Sequence, residues 1–199
     1  MKKHIVEHFK KSDPILFEYI AKVDIGTFHK TEDLFESLCD EIISQQLSGK
    51  AASTIFDRFK KLFPDGKITP DKVLKMSDEK IREAGTSWAK VRSLKDLAEH
   101  VKTKKLDLEH LRQLPDEEVM KQLVQVKGIG PWTAEMFMMF TLEREDIYSH
   151  GDLGLKKAIQ KIYGFKKEPT KQQVEKIITK WRPYRTVAAQ ILWKTLDLK

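Results

Sequence analysis

The chain has 199 residues, 40% of them hydrophobic and 34% charged, which supplies apolar material for a packed core and argues against a disordered tail. No apolar run approaches the ~20 residues that span a bilayer, and the basic start MKKHIVEHFKKSDP lacks the apolar stretch of a secretion signal. The single Cys39 excludes an internal disulfide, a cysteine-rich zinc site and a cysteine-ligated iron–sulfur cluster, and fits a reducing cytoplasm. A net charge of +7 favours a polyanionic partner through counterion release, although many soluble proteins are mildly basic.

Helix signals follow one another along the chain. Asp13-Pro14 reads as an N-cap followed by a proline at the first helical position, ahead of Ile15, Leu16, Tyr19 and Ile20. From about Asp33 to Gln46, Leu34, Leu38, Ile42 and Phe35, Cys39, Ile43 form two parallel rows at i,i+4 spacing, and the polar run Ser44-Gln45-Gln46 ends the helix. A second amphipathic helix carries Ala52, Ile55, Phe56, Phe59 and Phe63, and stops at the Pro64-Asp65-Gly66 turn. Thr69-Pro70 opens a short helix, Ser77 caps another that Gly85 terminates, and Ser87 begins a longer one holding Val91, Leu94, Leu97, Ala98 and Val101. Asp116 caps a helix with Val119, Met120, Leu123 and Val124, which runs directly into Gly128-Ile129-Gly130 and Pro131.

Beyond that turn come a strongly apolar helix, then Asp152 between two glycines at the start of the next helix, which Gly164 stops. Thr170 and Gln173 form a capping box, and Pro183 opens a last helix with Val187, Ala188, Ile191, Leu192 and Thr195 facing inward. No convincing alternating strand and no internal repeat appears. The expectation is an all-α chain, a compact bundle of about ten helices.

The stretch Val126 to Leu155 carries the chemistry. Two helices meet at Lys127-Gly128-Ile129-Gly130, where glycines permit positive φ and close backbone approach. The amides of Gly128 and Gly130, with the first turn of the following helix, suit a phosphate oxygen without reading base identity. A hairpin of two helices with glycines there for steric reasons alone is the competing reading. Asp152 at a helix start is an N-cap aspartate on one reading and, on the other, an ionised carboxylate favoured by the helix dipole.

LVQVKGIGPWTAEMF resembles the helix-hairpin-helix of the DNA glycosylase (HhH-GPD) superfamily, and the spacing from Gly130 to Asp152 with GDLGLKKAI fits that pattern. Three further segments resemble the family in the same order: IISQQLSGKAASTI (42–55), GTSWAKVRSLKDLA (85–98) and WRPYRTVAAQILWK (181–194). Within the superfamily the chain is similar to the 3-methyladenine DNA glycosylase II branch, without the N-terminal β-domain of some members. The resemblance implies two helical subdomains, about 48–145 and about 1–47 plus 146–199, with a DNA-binding cleft.

It also implies a monofunctional glycosylase that flips out alkylated purines of the 3-methyladenine or 7-methylguanine type and hydrolyses the N-glycosidic bond, leaving an abasic site. Breaking that bond builds an oxocarbenium-like sugar that needs negative charge near C1′, and an alkylated purine already carries positive charge, so one carboxylate suffices. Asp152 takes that role. The bifunctional relatives carry a lysine nucleophile two residues after the second glycine; here that position is Trp132. Trp132, Trp193 and Met136 match the base pocket, where an extruded purine stacks on aromatic faces. Gln46 and Leu47 match the intercalating wedge, and Ser87, Lys90, Lys127, Gly128, Ile129, Gly130 and Thr133 match DNA contacts.

A sodium or potassium ion at the carbonyls of Val124, Val126 and Ile129 is a family trait, and no cofactor is required. The expected partner is double-stranded DNA with damaged bases, met by a monomer with no membrane association, in the cytoplasm, at the nucleoid or in the nucleus. Tyr148-Ser149-His150 departs from the aromatic-proline pattern of relatives, and His150 is given no catalytic role. Trp88 and Trp181 are read as structural, with DNA contact a second reading for Trp88. The rival functions are a glycosylase for another lesion, such as hypoxanthine, and a helix-hairpin-helix module that binds DNA without activity. Asp152 and the tryptophan-rich final helix favour the enzyme.

Overall fold

The computed structural model describes residues 2–25 and 33–198, which form twelve α-helices and two short 3-10 turns, with no strand among the described residues. The chain divides into two compact units, Met1–His29 with Glu143–Lys199, and Lys30–Leu142. The resemblance implies a boundary near 48. In the structure the helix at 34–44 instead packs on the helices of the second unit. No helix among the described residues is long and apolar enough to cross a membrane.

The central unit holds α3 (Leu34–Ser44), α4 (Gly49–Lys60), α5 (Pro70–Lys75), α6 (Asp78–Glu83), α7 (Trp88–Lys102), α8 (Asp116–Leu123) and α9 (Pro131–Phe140). Its core follows from the two apolar rows of α3: Leu34, Phe35, Leu38, Cys39, Ile42 and Ile43 are all buried. Burial of six such side chains stabilises the unit by on the order of 10 kcal/mol before entropy is charged. Leu38→Ala alone would cost about 2–5 kcal/mol. The other core faces are Phe59 of α4, Leu94 and Leu97 of α7, and Phe137 of α9. α3 packs on α4, α7 and α9, so it is the hub that sets the hairpin against α7.

Capping follows the sequence at Asp33, Thr69, Ser77 and Ser87, whose side chains accept from the backbone N–H three residues on. α8 differs: Pro115 is its N-cap and Asp116 lies in the first turn, where its charge complements the dipole.

The terminal unit holds α1 (Lys3–Ser12), α2 (Pro14–Ile20), α10 (Leu153–Ile162), α11 (Lys171–Ile178) and α12 (Arg185–Thr195). α1 escaped the periodicity reading because it buries just Ile5 and Phe9. The last helix starts at Arg185, two residues after the expected Pro183. Trp181, as read from the sequence, is a core residue with no exposed surface. Its indole Nε1 and the hydroxyl of Tyr163 donate to Oδ2 of Asp13 at 2.8 and 2.6 Å, while Oδ1 caps α2 through the Leu16 N–H. The buried aspartate is thus satisfied on both oxygens, as a buried carboxylate must be. Burial and the Asp13 contact push the Tyr163 hydroxyl pKa well up.

Candidate active site

In the terminal unit, the chain between α9 and α10 is tied to α12 before it reaches the acid. Arg185 donates from Nε to Oδ1 of Asp146 at 2.6 Å and from Nη2 to the Asp146 carbonyl at 2.6 Å. Thr186 Oγ1 donates to the Arg144 carbonyl at 2.6 Å and accepts from the Ile147 N–H at 3.1 Å. These bonds anchor residues 144–147 to the first turn of α12, whose third turn carries Trp193. Five residues after Ile147 the chain enters α10 with Asp152 as its N-cap.

Asp152 is buried, 8% exposed, and its Oδ1 accepts two hydrogen bonds, from the Leu155 N–H at 2.7 Å and from Trp193 Nε1 at 3.0 Å. The first is an ordinary N-cap bond. The second is not needed for the helix, and it fixes the carboxylate against an indole. Gly154 makes room for the pair: a Cβ there would lie 3.0 Å from Asp152 Oδ1 and 3.1 Å from Trp193 Cδ1. Tyr148, buried four residues before the acid, has its pKa raised by burial and then by the charges of Asp152 and Glu175. His150 pairs with Glu175 at 3.1 Å, and burial lowers its pKa against the pull of that carboxylate.

In the central unit, α8 ends at Leu123 and the Ile129 N–H donates back to the Val126 carbonyl at 3.0 Å, closing a tight turn before Gly130 becomes the N-cap of α9. Gly128 has φ +86, and a Cβ there would sit 2.2 Å from Ser93 Oγ, so both conformation and space demand glycine. The Lys127 N–H donates to Oδ2 of Asp96 at 2.7 Å, which ties the turn to α7. Ser93 and Asp96 form the floor on which the hairpin rests. Neither stands out in the sequence, where both are ordinary residues of an amphipathic helix.

The structure sorts the expected site residues. Lys127, Gly128 and Gly130 are exposed, as a backbone grip requires. Ile129 is buried and its N–H is taken by Val126, so it shapes the turn and does not offer that donor to phosphate. Thr133 is buried too, its hydroxyl facing Gln45. Lys90 turns inward: its ammonium donates to the carbonyls of Ile43 at 2.7 Å and Gln45 at 2.9 Å, capping the C-terminus of α3, and burial lowers its pKa. The phosphate contact expected of Lys90 therefore competes with a helix cap. Ser87 is exposed and caps α7.

The aromatic residues separate in the same way. Trp132 is 45% exposed at the start of α9, whereas Met136, one turn on, is 5% exposed. Trp88, first read as structural, is 48% exposed at the start of α7. Gln46 and Leu47 are exposed in the loop between α3 and α4, and Gln46 takes a left-handed φ of 57°. The resemblance implies a base pocket of Trp132, Met136 and Trp193 and a separate wedge at Gln46 and Leu47. The Gln46 loop, Trp132 and Met136 belong to the hairpin unit, and Trp193 is bonded to Asp152 in the terminal unit.

Comparison with known proteins points the same way. The family profile of HhH-GPD superfamily base excision DNA repair proteins matches residues 39–183. DNA-3-methyladenine glycosylase 1 of Schizosaccharomyces pombe is 39% identical over 170 residues, which is 82% of this chain and 73% of that protein. Among solved structures, a 3-methyladenine DNA glycosylase of Schizosaccharomyces pombe in complex with abasic DNA superposes with a TM-score of 0.82 at 32% identity, covering 98% of each chain. A DNA-3-methyladenine glycosidase of Bacillus halodurans gives 0.86 at 36% identity, covering 98% of this chain and 89% of that one.

Proposed function

Since this chain belongs to the HhH-GPD superfamily of base excision DNA repair proteins, we propose that it is a monofunctional DNA glycosylase that excises alkylated purines of the 3-methyladenine and 7-methylguanine type from double-stranded DNA. The observation that carries the reading is the Asp152 carboxylate, buried at a helix N-terminus and oriented by the Trp193 indole. The rival module that binds DNA without activity has no use for that second hydrogen bond.

The chemistry needs little from the protein. An N3- or N7-alkylated purine is cationic, so it leaves C1′ as a neutral base when the glycosidic electron pair moves to its nitrogen. The sugar left behind carries positive charge shared between C1′ and the ring oxygen. Asp152 stabilises that charge. A carboxylate about 4 Å away, at an effective dielectric constant near 20, contributes about 4 kcal/mol, or about three orders of magnitude in rate. Water then adds at C1′ and gives up its proton to the carboxylate or to solvent, and the products are the free base and an abasic site.

The remaining residues hold the substrate. The amides around Gly128 and Gly130 and the dipole of α9 take a phosphate, and exposed Lys127 adds charge to the same contact. Trp132 offers an indole face to an electron-poor base, and Met136 supports it from α9. Gln46 or Leu47 fills the gap that the base leaves in the stack. The neutral carbonyl oxygens of Val124, Val126 and Ile129 fit a sodium or potassium ion: Val124 is the C-cap of α8, where the dipole is negative, and the Val126 carbonyl keeps a lone pair beside its bond to Ile129. No cofactor enters the reaction, and its place is wherever chromosomal DNA lies, nucleoid or nucleus.

Release of free base from duplexes carrying 7-methylguanine, 3-methyladenine or hypoxanthine tests the reading. Alkylated bases should be released, hypoxanthine more slowly, and strands should break only after alkali. Breaks without alkali would contradict the monofunctional assignment made from Trp132.

A further inference from the structure

Gln45 lies with Gln46 and Leu47 in the loop that resembles the family's wedge, and its side chain reaches two other elements. Its Nε2 donates to the Gly128 carbonyl at 2.8 Å and to Thr133 Oγ1 at 3.1 Å, reaching 83 and 88 residues along the chain. Its own carbonyl accepts from Lys90 Nζ at 2.9 Å, and the same ammonium holds the Ile43 carbonyl at 2.7 Å. The Leu47 N–H donates back to the Ser44 carbonyl at 3.2 Å. Residues 44–47 are therefore held from α7, from the hairpin, from α9 and from within.

Between these fixed points lies Gln46, in a left-handed backbone conformation at φ 57° with its side chain exposed. A residue with a Cβ adopts that region at a cost of about 1–2 kcal/mol and keeps it only where its surroundings over-determine the backbone. A charge-assisted bond from Lys90 and two bonds from the Gln45 amide are enough to do so. The exposed tip at Gln46 and Leu47 is thus joined through Gln45 to the turn at Gly128–Gly130 and to the first turn of α9.

We propose that Gln45 is a positioning residue for base extrusion, locking the wedge loop to the hairpin so that insertion into the stack and capture of the backbone occur as one motion. The inference rests on the glycosylase reading. A wedge that pushes on the stack needs a reaction point, and the phosphate grip supplies one only if the two are rigidly joined. Without the lock, the loop still folds and the hairpin still binds, but the push is taken up by loop movement.

The test is Gln45→Met, which keeps the shape and removes the donor. Single-turnover release of 7-methylguanine is measured with the lesion paired to cytosine and with the lesion in a one-base bulge, where it is already unstacked. The variant should slow release about tenfold from the paired duplex and no more than about twofold from the bulge. Equal slowing on both substrates, or none on the paired one, overturns the proposal. A second readout does not depend on bond cleavage: wild-type protein should raise the fluorescence of a 2-aminopurine placed at the extruded position, and Gln45→Met should bind the duplex and leave it quenched. If wild-type protein raises that signal yet releases no base, the glycosylase reading fails while the lock stands. If Gln45→Met raises it as wild type does, the lock fails.

Discussion

The indole Nε1 of Trp193 donates to Oδ1 of Asp152 at 3.0 Å, across 41 residues of sequence. A tryptophan expected to serve as a stacking surface is therefore also the group that aims the acid. An N-cap aspartate needs one bond to its helix; the second turns a capping residue into an oriented charge.

Trp193→Phe separates the two roles, because it keeps an aromatic face and deletes the donor. A hydrogen bond to a charged group contributes about 1.5–3 kcal/mol. Single-turnover base release should fall about tenfold or more while affinity for an abasic duplex stays within about twofold. A fall in affinity with an unchanged rate would show that stacking is the whole contribution.

Gly154→Ala should divorce activity from stability. The added Cβ meets Asp152 Oδ1 at 3.0 Å and Trp193 Cδ1 at 3.1 Å, so the pair must shift slightly and the carboxylate is re-aimed. Gly154 lies in the first turn of α10 at an ordinary helical φ, where alanine is the better helix former by roughly 1 kcal/mol. The variant should melt no lower than wild type within a degree or two, and should cleave about tenfold or more slowly. Full activity would mean that the pair tolerates displacement.

Gly128→Ala is the opposite case. It forces a side chain into a positive φ and against Ser93 Oγ at 2.2 Å, so it should destabilise by about 2–4 kcal/mol and lower Tm by roughly 5–15 °C. Adding Ser93→Ala should recover part of the loss, because the clash with Oγ goes while the backbone strain and the Ser93 Cβ, at 2.9 Å, remain. Complete recovery, or none, in thermal melts would contradict that division.

Glu41, one turn before Gln45 on α3, is half-buried; burial and then the neighbouring Asp40 push its pKa up to about 7 from 4.5. Between those values the folded chain keeps a proton that the unfolded chain has lost. The contribution to stability is thus fully present below pH 4.5 and disappears as pH rises through about 7. Glu41→Gln abolishes the titration, so its melting temperature should exceed that of wild type at pH 8 by more than at pH 5. The same gap at both pH values would place the titration elsewhere.

Much of the fold was legible because α3 and α7 carry apolar rows at helical spacing and because Asp13, Thr69, Ser77, Ser87 and Thr170 announce their helices. Each of those caps accepts the expected backbone bond. α1 was not legible, since two buried residues make no pattern. In the site, Asp152 and the hairpin could be found because a glycine turn and an isolated acid have few other uses. Ser93, Asp96, Gly154 and the contacts of Gln45 could not. Their importance lies in partners at 31 to 88 residues' distance, and helical periodicity carries no information about such pairings. Lys90 shows the converse: a lysine near a DNA-binding segment reads as a phosphate ligand, and only the packing reveals that it caps α3.

The most direct measurement is single-turnover release of 7-methylguanine from duplex DNA by wild type and Asp152→Asn, each checked for folding by melting and for binding to an abasic duplex. Wild-type protein should release the base and leave an alkali-labile site, and Asp152→Asn should bind and melt normally but release it about 10²–10³-fold more slowly. Wild-type protein that binds DNA and releases no base from any alkylated duplex, or an Asp152→Asn variant that matches it, would contradict the account.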